Sequence, residues 1–290
     1  MKKYSSLGEL LVDYRKQYNV SQSELAATLD VDVRSVQRWE RDITLVNPLK
    51  EKQLVEVTLL PPQLIRNLNS MHPIPVFFDF NIRKYSFTEL TNELPDVKWI
   101  REKIDVIDEG LKETVFPDDM VMIERYINER YSGKNLIKRQ VVEQGAKLLP
   151  QLNQTLKDHS GCYVGHMVVL PLKYDSYKKI RDKTITNSEL TINDLQDFRT
   201  SELPVFYAYS ITADSNDRVF GIITAIMRFF KWEIKKKYIF ASFTHRYDSE
   251  ISNPETGLKK IWSEESIIDG KNYEIKLYEG DFTEFLDKIN

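Results

Sequence analysis

The sequence predicts an α+β multidomain chain: an all-α bundle of short helices at the N-terminus, a helical middle segment, and a mixed α/β sheet at the C-terminus. Helix caps followed by apolar residues at helical spacing recur three times within about forty residues near the start. Beyond Cys162, four runs rich in β-branched and aromatic residues follow one another, with one long helical period between the second and the third. With 290 residues, 41% of them hydrophobic, the chain is long enough for two domains. The boundaries that follow are residues 1–70, a connecting segment 71–99, and residues 100–290.

Ser6-Leu7-Gly8-Glu9 has the form of a capping box, and Leu7, Leu10, Leu11, Tyr14 and Tyr18 follow on one helical face. Ser21-Gln22-Ser23-Glu24 is a second capping box, opening a short helix with Leu25, Ala26 and Leu29 inward. Asp32 caps a third helix that carries Val33, Val36 and Trp39 inward. Three short helices with a small residue, Ala26, where two of them meet fit a helix-turn-helix.

The stretch Arg15 to Asp42, containing S-Q-S-E-L-A-A-T-L-D-V-D-V-R-S-V-Q-R-W-E-R-D, resembles the XRE-type phage-repressor family. The resemblance implies that Arg15 pairs with Glu40 and pins the first helix to the end of the third. It also implies DNA contact by Gln22 and by the exposed face of the third helix, namely Val33, Arg34, Gln37 and Arg38. The chemistry suits that role: Arg binds guanine O6 and N7 in a bidentate way, Gln binds adenine N6 and N7, and helix N-termini accept phosphate. Asp42 stands where the family usually has Gly, so the turn leaving the third helix lacks its preferred left-handed residue.

Leu49, Leu54, Val57 and Leu60 continue at near-helical spacing until Pro61-Pro62, and Leu64, Ile65 and Leu68 add a short turn. Pro73 and Pro75 make 69–75 extended chain, and Val76 to Phe80 reads as a strand. Ser86 onward carries caps and a Leu90/Leu94 spacing that Pro95 breaks. Pro117-Asp118-Asp119 opens an amphipathic stretch with Met120, Ile123, Tyr126, Ile127 and Tyr131 on one side. Residues 134–156 read as helix broken near Pro150. Nothing in this middle portion carries identifiable chemistry.

Tyr163 to Leu170, Val205 to Thr212, Lys237 to Thr244 and Asn272 to Tyr278 read as strands, and Arg218 to Trp232 as a helix. In this order, and with T-G-L-K-K-I-W after the third strand, they resemble the GNAT-type acyltransferase fold from about residue 100 to the end. The family binds the pyrophosphate of coenzyme A on backbone N–H groups at a strand-to-helix turn. The resemblance places Arg218 and Gly221 there, which admits acetyl-CoA or acyl-CoA as a ligand. Ile223 stands where a small residue is needed, and Asp214 and Asp217 repel phosphate. Gly257-Leu258 matches a late element of the fold, but Asn253 stands where active members often carry a tyrosine general acid. No Glu of the second strand serves as a base. His166 and Tyr247 are the remaining titratable residues, both read as satisfied structural groups. The catalytic signature is eroded, and no catalytic residue is assigned.

Composition excludes several classes. Cys162 is the only cysteine, read as a small buried residue at a strand edge, so there is no internal disulfide or thiolate zinc cluster. His72, His159, His166 and His245 show no paired helical spacing, and no metal site is expected. Apolar runs fall far short of the roughly 18 residues of a membrane span, and Glu9, Asp13 and Arg15 interrupt any signal-peptide core, so a cytoplasmic chain without a membrane partner is expected. The net charge of −3 argues against bulk electrostatic coating of nucleic acid and leaves a site-specific reader. The expected function is a transcriptional regulator that binds double-stranded operator DNA as a homodimer, with a C-terminal domain that senses a CoA-type ligand or a protein partner. The alternatives are an acyl-CoA-dependent N-acyltransferase with a DNA-binding module, or an antitoxin-like interaction protein.

Overall fold

The computed structural model describes residues 1–81, 83–87, 97–106, 110–131, 135–244, 256–268 and 271–288. The chain divides into two units, Met1–Glu93 with Ala213–Asn216, and Leu94–Thr212 with Asp217–Asn290.

The first unit opens with a short strand, β1 (Lys2–Tyr4), and then the helices α1 (Leu7–Tyr18), α2 (Gln22–Thr28), α3 (Val33–Glu40), α4 (Pro48–Thr58) and α5 (Pro62–Leu68). Local chemistry starts each of the first four helices: Ser6, Ser21, Asp32 and Asn47 accept backbone N–H groups of the first turn through their side chains. The Ser21/Glu24 capping box is complete, with bonds of 3.1 and 2.7 Å. At Ser6 only half of the expected box forms, because Glu9 accepts from Ser5 N–H (2.8 Å) instead of Ser6 N–H. Leu7, Leu10, Leu11, Leu25, Ala26, Leu29, Val36 and Trp39 are buried together, as their spacing predicts. Leu49 and Tyr18 are the exceptions, 80% and 37% exposed.

Residues expected in the connecting segment belong to this unit. Strands β2 (Val76–Asp79) and β3 (Lys84–Ser86) make a three-stranded antiparallel sheet with β1, in the order β1-β2-β3. The bundle is therefore not purely α-helical. Phe78 and Phe80 stack edge to face at 4.9 Å, and Phe78 is buried with Tyr4 in the helical core. Arg83, in the β2–β3 turn, donates to the carbonyls of Thr58 (3.0 Å) and Leu59 (2.6 Å), putting a cation on the negative end of α4. Beside β3, Tyr85 N–H donates to Asp214 C=O (2.9 Å) and Tyr85 bridges Ser215 in parallel.

The second unit contains α6 (Val97–Lys103), β4 (Leu111–Glu113), α7 (Asp118–Tyr131), α8 (Arg139–Leu148), β5 (Asn153–Lys157), β6 (Tyr163–Leu172), α9 (Tyr174–Arg181), β7 (Val205–Ala213), α10 (Asn216–Glu233), β8 (Ile239–Thr244), β9 (Leu258–Ile268), β10 (Lys271–Gly280) and α11 (Thr283–Asp287). Its strands form one mixed sheet in the order β4-β5-β6-β7-β8-β10-β9, the α/β layer expected of this region. The pair β7/β8 is parallel, joined through α10 as a parallel crossover requires. The tail of the expected 134–156 helix is instead β5: Pro150 opens a 3-10 turn, and Asn153–Lys157 then pairs with β6. Met120, Ile123, Ile127, Val141 and Val142 of α7 and α8 are buried with Val168, Leu170, Val205 and Tyr207 of the sheet. The α10 side is aromatic, with Phe206 against Phe229 and Phe230 at 5.7 and 5.0 Å.

Candidate nucleic-acid interface and ligand cleft

The α3 surface is built from a hydrogen-bonded lattice beneath it. Arg15 on α1 pairs with Glu40 at the end of α3 through Nε, and its second nitrogen donates to Glu40 Oε2 at 3.0 Å. Arg15 also donates to Val20 C=O (3.2 Å), so one guanidinium ties α1, the α1–α2 turn and α3. Glu40 Oε2 accepts a further bond from Gln22 Nε2 (2.6 Å), and Gln22 Oε1 accepts from Gln37 Nε2 (3.3 Å). Gln22 thus spends both ends of its amide inside the unit, and Gln37, half-buried, uses its amide nitrogen there. Val33 is also half-buried and packs on the core. Arg34 and Arg38 are exposed, one helical turn apart on one face. The arrangement presents two cations and the α3 N-terminus, whose Arg34 N–H is capped by Asp32 (2.7 Å), with the amides of Gln22 and Gln37 beside them.

Asp42 has the left-handed conformation that the glycine pattern calls for, with φ 53°, which Asp tolerates better than most residues. Its carboxylate then accepts from Ser6 Oγ (2.7 Å) and Gly8 N–H (3.1 Å) at the start of α1. The substitution therefore keeps the turn and adds a second link between α1 and the end of α3. Gly8 makes room for it: a Cβ there would lie 2.7 Å from the Trp39 and Glu40 carbonyls. Lys50, which the sequence pattern did not single out, donates to the carbonyls of Leu29 (2.6 Å) and Asp30 (3.1 Å) and closes the end of α2.

In the second unit the feature with ligand-binding geometry is the parallel pair. The β7/β8 ladder runs from Val205/Ile239 to Ala208/Ser242 and stops, although β7 continues to Ala213 and β8 to Thr244. Among the described residues the paired ladder does not extend past Ala208/Ser242, and strands whose pairing ends in this way offer an edge on which an extended amide-bearing ligand can pair. Arg218 lies in the first turn of α10, where backbone N–H groups have no intrahelical acceptor. Gly221 lies in the second turn, where N–H groups belong to the helical ladder, and Ile223 is half-buried. The helix starts earlier than the motif match implies because Ser215 and Asn216 are residue types that open helices. Asp214 is buried and Asp217 is exposed in the first turn. Gly257 has φ 77°, and a Cβ there would lie 2.2 Å from Asp281 C=O, so close backbone packing accounts for that glycine.

His166 is fully buried and holds two hydroxyls: Tyr163 Oη at Nδ1, and Ser210 Oγ at Nε2 (2.7 Å). A bulge at Val164, where Leu156 faces Gly165 but Lys157 faces Tyr163, brings Tyr163 onto the same face as His166. Burial pushes the Tyr163 phenol well above its ordinary range, with Tyr126 and Asp119 adding to the rise, so it stays a neutral hydroxyl. Burial also pushes the Asp119 carboxyl up, but hydrogen bonds from Val115 N–H (2.9 Å), Lys157 and Thr155 Oγ1 (2.9 Å) outweigh it and hold the group below the usual carboxylate value. These residues fit the structural role expected of His166. Cys162 is half-buried at the start of β6, its N–H bonded to Asp158 Oδ1 (2.9 Å). His245, Tyr247 and Asn253 lie outside the described residues. Among the described residues no group of acidic, His or Cys side chains is arranged to hold a metal, and no helix is long and apolar enough to cross a membrane.

Residues 11–59 match the HTH_3 helix-turn-helix family. No curated protein matches the chain. Among solved structures, FeeM, an N-acyl amino acid synthase from uncultured soil microbes, is similar over 61% of this chain and 93% of its own, with 11% identity and a TM-score of 0.38. A structure of histone acetyltransferase HPA2 and related acetyltransferase from Corynebacterium glutamicum ATCC 13032 is similar over 58% of this chain and 94% of its own, with 12% identity and a TM-score of 0.31.

Proposed function

We propose that the chain is a sequence-specific DNA-binding transcriptional regulator whose first unit reads operator DNA through α3, with a second unit that senses a ligand or partner. The observation that carries this reading is the Arg15–Glu40–Gln22–Gln37 lattice, which fixes α3 from beneath while leaving Arg34 and Arg38 exposed. A rigid, short helix with two cations one turn apart suits the major groove, and two copies bound as a homodimer on half-sites about 34 Å apart would double the contacts. Arg34→Ala then weakens operator binding by about 1–3 kcal/mol and relaxes preference at one base position. Competition gel shifts against a randomised duplex library measure both, and an unchanged preference overturns the role of Arg34.

A second reading has one specific support, the early end of the β7/β8 ladder. There the second unit would take an acyl-CoA, the extended amide-containing arm pairing along the strand edges and Arg218 meeting phosphate at the start of α10. Calorimetric titration with acetyl-CoA checks it: micromolar binding lost in Arg218→Ala supports a CoA-type ligand, and absence of heat leaves the unit as a partner-binding domain. An N-acyltransferase would in addition release free thiol from acetyl-CoA in the presence of an amine.

A further inference from the structure

The end of α10 carries a dense run of positive charge, comparable with residues 178–183, where Arg181 and Lys183 are paired with Glu279 and Glu264. Lys231, Lys235, Lys236 and Lys237 stand with a single carboxylate, Glu233, among the seven residues 231–237, in a chain whose net charge is −3. Lys236 is used by the fold, donating to the carbonyls of Arg199 (3.2 Å) and Ser201 (2.6 Å). Lys235 donates to Lys231 C=O (2.8 Å). Among the described residues, neither Lys231 nor Lys237 pairs with a carboxylate. Between them Trp232 is 55% exposed, with the Nζ atoms of Lys231 and Lys235 at 5.0 and 5.8 Å from its ring centre. The backbone beneath is anchored: Ile234 and Tyr238 are buried, and Tyr238 stacks on Phe230 at 4.5 Å. A helix C-terminus attracts about half a positive charge; the exposed Lys235 and Lys237 together with the half-buried Lys231 exceed that.

We propose that this patch is a second contact with duplex DNA, taking the sugar–phosphate backbone while α3 reads bases. The inference rests on α3 being a DNA reader. Charge complementarity favours this occupant. The first seventy residues carry ten basic and nine acidic groups, so α3 alone supplies few phosphate contacts, and the lysines of α10 supply the sequence-independent attraction that such a reader lacks. Lysine is suited to phosphate as a point charge, and the indole gives the edge of a sugar an apolar surface.

The test is the salt dependence of binding of the full chain to a fluorescent mixed-sequence duplex of about three helical turns, read by anisotropy between about 50 and 200 mM salt. Lys231→Gln/Lys237→Gln removes two cations that no backbone carbonyl uses. Each phosphate contact contributes about 0.9 to the slope of log K against log salt, so the variant's slope falls by about 1.8 and its loss of affinity over that range is about 12-fold smaller than that of the parent. Lys112→Gln/Lys147→Gln, at exposed positions elsewhere, makes the same change in net charge and leaves the slope in place. A parent slope in the α10 variant overturns the proposal while leaving α3 as the reader. An equal fall in both variants overturns it in favour of diffuse charge. A parent that does not bind the mixed-sequence duplex overturns this proposal, while the reading of α3 falls only if the selection from the randomised library returns no preferred site. Salt-sensitive binding to phosphatidylserine vesicles that depends on Lys231 and Lys237, with an unchanged duplex slope, assigns the patch to a lipid surface and overturns the proposal.

Discussion

Removing the Glu40 carboxylate should destabilise the first unit more than any other single polar change at α3. In Glu40→Ala the Arg15 guanidinium, with 18% of its side chain exposed, keeps only Val20 C=O as an acceptor, and Gln22 loses its 2.6 Å partner. Stranding a fully buried partner costs about 3–5 kcal/mol. Partial exposure of Arg15 lets water recover some of this, giving about 2–4 kcal/mol, a large part of the about 5–10 kcal/mol expected of a unit this size. About 3 kcal/mol corresponds to a fall of about 12–24 °C in the melting temperature of a domain of this length. Circular dichroism melts of the full chain should show the transition of the first unit moved and that of the second unchanged. The controlling comparison is Arg15→Met/Glu40→Leu, which removes both charges and fills the space. It should recover most of the loss, with a coupling energy of about 2–3 kcal/mol in a double-mutant cycle. Single variants that sum to the double within about 0.5 kcal/mol would refute the argument that α3 is held by this pair.

The junction between α1 and the end of α3 gives a second test. Asp42→Ala loses two hydrogen bonds and keeps a left-handed backbone that Ala disfavours, costing about 2–3 kcal/mol, whereas Asp42→Gly loses only the bonds, about 1 kcal/mol; urea midpoints in the reverse order would show that Asp42 is no cap. Gly8→Ala drives a methyl to 2.7 Å from two carbonyl oxygens and should cost at least about 2 kcal/mol by the same measurement. In the second unit, Asp119 has a folded-state carboxyl below its unfolded value. Its stabilisation is complete above the ordinary carboxylate range near about 4 and is lost as pH falls through the folded value. Asp119→Asn should flatten the acid limb of the stability profile, and an unchanged limb would assign acid sensitivity to other groups.

Much of this architecture is legible in the sequence where local chemistry decides it. Ser6, Ser21 and Asp32 start helices where caps are expected, and the buried face of α1 to α3 follows from spacing. Elements set by distant pairing are not legible. Lys2–Tyr4 is too short for any periodicity and becomes a strand only because Val76–Phe78 lies beside it. Leu258–Ile268 reads as a polar segment because β9 lies at an edge of the sheet, where charged residues such as Lys259, Lys260, Glu264 and Glu265 are tolerated. The candidate interface divides in the same way. Arg15 and Glu40 belong to a recognisable pattern, but the bond from Gln22 to Glu40 spans eighteen residues and depends on side-chain geometry. The partnership of His166 with Ser210 spans forty-four.

The same geometry changes what near-neutral charge means for a DNA reader. Most carboxylates of the first seventy residues are engaged within the unit: Asp13 by Lys2 and Tyr4, Glu24 by Ser21, Asp32 by the start of α3, Glu40 by Arg15 and Gln22, Asp42 by Ser6 and Gly8, and Glu51 by Asn69. The guanidinium groups of Arg34 and Arg38 take no part in those bonds and remain at the surface, so the field over α3 is more positive than a count of charges suggests. Two arginines still give few phosphate contacts, and the salt slope of a lone first unit should be shallow, about −2. Affinity at physiological salt must therefore come from a second copy on the adjacent half-site, from the lysines at the end of α10, or from both. On the proposed reading, phosphate contacts from the lysines at the end of α10 would raise specific and non-specific affinity together, and the specificity ratio would rest on the base contacts of α3.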